Sequence, residues 1–76
     1  MPRYYFDTQD GQKCIDEEGE ILASDAAAQM VAGQIAAELT PTRITHLWKG
    51  EPFQVVIRDS QKAVLGYVIV MAASPP

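Results

Sequence analysis

This 76-residue sequence lacks clustered positive charge: its six Lys and Arg are scattered singly against ten Asp and Glu, giving a net charge of −4. A nucleic-acid footprint needs basic side chains gathered on one face, and an anionic membrane surface attracts the same pattern. Neither is therefore an expected partner. Cysteine is nearly absent. The single Cys14 excludes an internal disulfide and suits a reducing compartment. The single histidine, His46, has no second His or Cys at ligand spacing and forms no zinc motif. The longest apolar run, Ala63 to Ala73, is too short to span a bilayer and is broken by Gly66. The opening MPRYYFD shows no basic region followed by an apolar core, so no signal peptide is read and a cytoplasmic protein is expected. A glycine-rich phosphate loop, a Ser/His/Asp set and a nucleotide fingerprint are missing too. No catalytic residue, cofactor or metal site is assigned.

What is present organises around one segment, Ser24 to Thr40. Ser24 is placed to cap the first turn, with Asp25 facing the positive end of the helix dipole. Ala27, Val31, Ile35 and Leu39 step by four beside Ala28 and Ala32, giving one apolar stripe. Pro41 is expected to end the helix, because the residue before a proline is pushed out of the α region. The opposite side, Ala26, Gln29, Gly33, Ala36 and Ala37, reads as small and uncharged. Alanine's helix propensity explains that composition, and so does close packing by a second protein.

Strand-like runs flank the helix. Arg3 to Thr8 alternates, with Tyr4, Phe6 and Thr8 on one face and Arg3, Tyr5 and Asp7 on the other. Asp10-Gly11 then signals a hairpin into a short return strand, Gln12 to Ile15. Ile21 and Leu22 are expected to fold the connection onto the core. Thr42 to Gly50 is the least readable stretch, interrupted by Pro41, Gly50 and Pro52. Phe53 to Arg58 reads as a strand, Asp59 to Lys62 as a turn, and Ala63 to Met71 as the final strand. The expected fold is one α+β domain over residues 1–76, hairpin, helix, hairpin, with a tail at 72–76. About four mainly antiparallel strands would carry the single helix on one face.

The final strand sets the functional expectation. Val64, Val68 and Val70 lie on one face and Leu65, Tyr67, Ile69 and Met71 on the other, the pattern of a strand covered on both sides. One helix covers one face, so the second face needs another cover or forms an interaction patch. Tyr5, Val56, Leu65, Tyr67, Ile69 and the loop aromatic Trp48 are the candidate interaction face. The expected partner is a second copy or a larger protein.

A resemblance spans nearly the whole chain. Met1-Pro2-Arg3-Tyr4-Tyr5-Phe6-Asp7, the Asp10-Gly11 turn and Asp16-Glu17-Glu18-Gly19, followed by the alanine-rich helix, resemble a family of very short bacterial proteins of unknown function. Those proteins begin MPRYFFD and continue through a DG turn and a DEEG segment. Tyr5 stands where phenylalanine is commoner, and Ser24 where an acidic cap is expected. The resemblance implies this fold layout and a bacterial setting, and it brings no activity with it.

Individual residues admit sharper readings, each beside a plainer one. Removal of Met1 would expose Pro2 as an amino-terminal base of the tautomerase kind, with Arg43 or Arg58 binding an acid substrate. The plainer reading is a proline that starts an edge strand. Asp16, Glu17, Glu18 and Glu20 have the oxygen ligands of a calcium site but not its spacing, and read as a solvated turn. Cys14 beside Lys13 reads as a half-buried structural thiol rather than a reactive one. His46 reads as a loop histidine on an aromatic, and Trp48 as closing one end of the core. The leading function is a non-enzymatic interaction module; the alternatives are the small tautomerase-like enzyme and a regulator or antitoxin-type protein.

Overall fold

The computed structural model describes residues 1–76. Chain order is β1 (Arg3–Gln9), β2 (Lys13–Cys14), β3 (Glu20–Ile21), α1 (Asp25–Trp48), β4 (Phe53–Arg58) and β5 (Val64–Val70). One antiparallel sheet runs β2-β1-β4-β5, and β3 joins the same edge of β1 further toward its start. The α+β layout of hairpin, helix and hairpin is therefore present, with five strands rather than four. The added strand is β3, a two-residue segment pairing Glu20 and Ile21 with Tyr4 and Arg3. Two residues carry no periodicity, so nothing in the sequence marks them.

Alternation sorts the strands into two faces. Tyr4 and Phe6 of β1 and Phe53, Val55 and Ile57 of β4 are buried under α1. The helix meets them through Ala28, Ala32 and Ala36, all nearly inaccessible, while Val31, Ile35 and Leu39 are half-buried beside this line. Ala36 thus belongs to the buried face, not to the outer side assigned from the sequence. With no side chain beyond Cβ, the alanines bring the helix close to the sheet, and the larger neighbours fill the wedge on one flank.

Pro41 does not end the helix. The helix continues for seven more residues, through Trp48, so the stretch 42–48 is helical rather than irregular. Proline removes one helix hydrogen bond and crowds the preceding turn, but tertiary contacts beyond it hold the chain helical. Leu47 is 2 % exposed in the core, and Arg43 Nη2 donates to the Asp10 carbonyl at 2.9 Å. The flanking hydroxyls of Thr40 and Thr42 donate to the carbonyls of Ala36 and Leu39, both at 2.7 Å. At the other end Ser24 caps as expected, its oxygen accepting from the Ala27 N–H at 3.1 Å.

Other expectations shift by a few residues. The return strand shrinks to Lys13–Cys14 around a three-residue loop, Asp10 to Gln12, in which Gly11 alone takes positive φ. Leu22 packs on the core, but Ile21 is exposed. Val64 leaves the covered face because an irregularity in the β4–β5 register places it opposite Arg58. Leu47, not Trp48, closes the core, and Trp48 is 59 % exposed.

The close helix approach is testable by volume. Ala32→Leu is expected to cost about 1–3 kcal/mol by forcing bulk between helix and sheet. Ala37→Leu, on the exposed side, is expected to change stability by less than about 0.5 kcal/mol. Urea titrations of the two variants separate these outcomes.

Candidate functional site

The sheet face away from the helix carries two regions of opposite character. Tyr5, Asp7 and Gln9 of β1 stand opposite Arg58, Val56 and Gln54 of β4, and the last two stand opposite Tyr67 and Ile69 of β5. The β1 side of this face is polar and internally paired. Arg58 donates from Nε to Asp7 Oδ2 at 2.7 Å and from Nη2 to Asp7 Oδ1 at 2.9 Å, a two-pronged ion pair. The guanidinium lies 5.2 Å from the Tyr5 ring centroid, and Lys62 Nζ lies 5.0 Å from the same centroid. Gln54 donates to Gln9 at 3.1 Å.

Asp7 is 4 % exposed although it lies on the uncovered face, because Arg58 and the loop at Asp16 enclose it. Asp16 is the hidden element here. One of its carboxylate oxygens accepts from the Phe6 N–H at 3.1 Å, where a neighbouring strand would otherwise supply a carbonyl. The other accepts from the N–H groups of Glu18 and Gly19, both at 3.1 Å. Its own N–H donates to Asp7 Oδ1 at 2.9 Å, and its carbonyl accepts from Arg58 at 3.1 Å. A single residue thus fills the gap between β2 and β3 along β1. Asp16 is accordingly a structural link, not part of a freely solvated turn.

Gly19 has φ +70° in this loop, and a Cβ there would meet the Tyr4 carbonyl oxygen at 2.7 Å. Tyr4 is held by Asp25, whose carboxylate accepts from its hydroxyl at 2.6 Å. That hydrogen bond stabilises the neutral phenol and pushes its pKa up to about 12. Burial works against ionisation of both Asp7 and Asp16, and for both the hydrogen bonds win. Arg58 and the Asp16 N–H hold Asp7 below its ordinary value; the N–H groups of Gly19, Phe6 and Glu18 hold Asp16 below its own. Asp7 in turn raises the pKa of Arg58.

The β5 side of the same face is apolar. Val56 is half-buried, whereas Leu65, Tyr67, Ile69 and Met71 are exposed, Tyr67 by 57 % and Ile69 by 62 %. Of the candidate interaction residues, the structure gathers Val56, Tyr67 and Ile69 on one patch and places Leu65 at the irregular end of β5. Tyr5 shares the face but lies under Arg58 and Lys62 in the polar region. Trp48 ends the helix on the other layer and does not join the patch.

The remaining single-residue readings resolve separately. Cys14 is exposed rather than half-buried. His46 lies in the last helical turn, its Nδ1 3.1 Å from Glu51 Oε2. No group of three or more His, Cys, Asp and Glu side chains is placed to hold a metal ion. Arg58 is engaged by Asp7, and Arg43 is anchored at Asp10, the far end of β1 from Pro2, about 23 Å away for a seven-residue strand. Neither arginine is free beside Pro2. No helix is long and apolar enough to cross a membrane.

Fold and surface together define a small α+β domain with one helix on an antiparallel sheet whose far face is half ion-paired and half apolar. Residues 3–71 match the family described as "Domain of unknown function (DUF6894)", and the chain belongs to that family. No curated protein matches the chain. No solved structure matches it either.

Two outcomes test the role of the acidic loop. Gly19→Ala is expected to cost at least about 2 kcal/mol, since a left-handed φ and a clash with backbone oxygen coincide. Asp7→Asn leaves Arg58 without its charge partner and is expected to cost about 3 kcal/mol. Because Asp7 and Asp16 have lowered folded-state values, their contribution is present above the unfolded carboxyl value, about 3.9, and is lost as pH falls through the folded values. Chemical denaturation at pH 7 and pH 3 should therefore show a smaller pH effect in Asp7→Asn than in the natural chain. An equal pH effect in both would remove Asp7 from this role.

Proposed function

We propose that this protein is a non-enzymatic interaction module that works by self-association or by docking on a larger protein, through the apolar half of its open sheet face. The carrying observation is the row Val56, Tyr67, Ile69 and Met71, of which the last three are exposed at 57–70 % on a regular strand and the residue just beyond it. Burying large apolar side chains of this kind contributes about 1.5–3 kcal/mol each. Nothing within the chain buries them, while on the polar half Asp7 and Arg58 pair with each other. A domain of this size has a net stability of only about 4–11 kcal/mol, so a partner that covers the row adds appreciably to it.

The acidic balance and the scattered basic residues support a protein partner rather than nucleic acid or an anionic membrane. A bacterial, cytoplasmic setting is consistent with the exposed single thiol and is part of the proposal.

Ile69→Asp tests this reading. The side chain is exposed and its cross-strand neighbour is Gln54, so the monomer is expected to fold with its stability changed by less than about 1 kcal/mol. Association is expected to weaken at least about tenfold, because a charge then sits in an apolar contact. Sedimentation velocity over a concentration series, and co-purification from the native host, measure both routes. Undiminished association of a folded Ile69→Asp chain would place the contact elsewhere.

A further inference from the structure

β5 is exposed along its edge as well as on its face. It is the last strand of the sheet, so the backbone N–H and C=O groups on its outer side have no strand partner. Edge strands are usually protected by charged residues, proline or extreme shortness. β5 has seven residues, VLGYVIV, with no charge and no proline. Its one interruption is the register irregularity facing Ile57 and Arg58, which leaves Gly66 to Val70 as a regular run.

We propose that the occupant of this edge is a second copy of the chain, paired antiparallel to β5 about a two-fold axis at Val68. The inference rests on the self-association branch of the reading above and specifies its geometry. An antiparallel ladder keeps side chains on their own faces only when the axis passes through a residue, and Val68 is the midpoint of the regular run. Tyr67 then stands opposite Ile69 of the second copy on the open face, and Ile69 opposite its Tyr67. These are aromatic and β-branched pairs that stabilise sheets. Val68 meets Val68 on the helix face, and Gly66 meets Val70. With a net charge of −4, two copies repel except along an uncharged surface, and this edge is one.

The helix layer fits the same axis. α1 packs over β4 and β5, and Asp25 and Gln29 border a concavity of about 230 Å³ with Gly66 and Val68, so this flank of the helix faces the β5 edge. Strands pair at about 4.8 Å, which places the two helices roughly 10 Å apart where they pass the axis, the separation of directly packed helices. Such packing calls for small, uncharged side chains beyond Asp25, whose carboxylate already accepts from the Tyr4 hydroxyl. Gly33 lies one turn beyond Gln29, and a Cβ on it would meet nothing within 4 Å. Glycine weakens a helix interior, and no contact within the chain uses this one. Gly66 is likewise uncrowded inside a strand. An interface of ordinary size takes about 800 Å² from each partner, roughly a sixth of this chain's 5158 Å².

Amide hydrogen exchange by NMR on the natural chain, at concentrations where sedimentation shows monomer and then dimer, tests the pairing. In the monomer, alternate amides of 66–70, those pointing away from β4, are expected to exchange fast. In the dimer they are expected to slow by at least tenfold. A dimer in which those amides stay fast would overturn edge pairing while leaving self-association intact. A chain that remains monomeric at millimolar concentration would overturn the second copy as occupant, leaving only docking on a larger protein. Register is read in a Cys14→Ser background by mixing Tyr67→Cys and Ile69→Cys chains. The mixture is expected to form a disulfide-linked dimer at several times the yield of either chain alone; equal yields would overturn the axis at Val68.

Discussion

Asp16, placed against the open side of β1, ties the acidic loop, the strand ladder and the Asp7–Arg58 ion pair together. β1 is central: β4 pairs along one side, while β2 and β3 share the other and leave a gap between them. An unfilled gap would expose a buried strand amide, which costs more than an ordinary hydrogen bond returns. The Asp16 carboxylate fills it at Phe6, and the Asp16 main chain reaches Asp7 and Arg58. The loop, the strand ladder and the single buried ion pair are thereby joined into one network. Arg58 alone connects β4 to β1 through Asp7 and to the loop through the Asp16 carbonyl.

This arrangement explains the division of the open sheet face. On the β1 side Asp7 is paired by Arg58, and Arg58 and Lys62 both lie over the Tyr5 ring. The network satisfies each polar group it buries, so it stabilises a unique register. The β5 side has no such neighbours, and its apolar side chains remain exposed. Helix and sheet edge meet there as well, so the helix flank with Asp25 and Gln29 and the uncharged strand border the same side of the molecule.

Much of the layout was legible in the sequence because it is written in local patterns. Alternation in Arg3 to Thr8 and Phe53 to Arg58, the Ser24 cap and the Asp10-Gly11 turn each depend on neighbours within a few residues. Pro41 misled for the opposite reason. Its local effect is real, but Leu47 in the core and Arg43 on Asp10 outweigh it, and neither contact has a trace in the neighbouring sequence. Ala36 is not placed by its type, because alanine carries no pattern of its own: the same residue serves a buried close approach and an exposed turn. The aromatic type of Trp48 suggests the candidate face, whereas its layer is set by a helix that runs two turns past Thr40.

Side-chain pattern alone carries the α+β class, the single helix with its apolar stripe, the alternation of the strands and the surplus of apolar residues in β5. These follow from periodicities of 2 and 3.6 residues, which any reader of side-chain type recovers. Which acidic residues are structural, which strand is left at the edge and which apolar residues stay uncovered depend on how the elements pack. Asp7 pairs with a residue fifty-one positions away. Charges at that separation meet only after helix and strands have packed, so their partnership is a property of the folded chain and not of any segment within it.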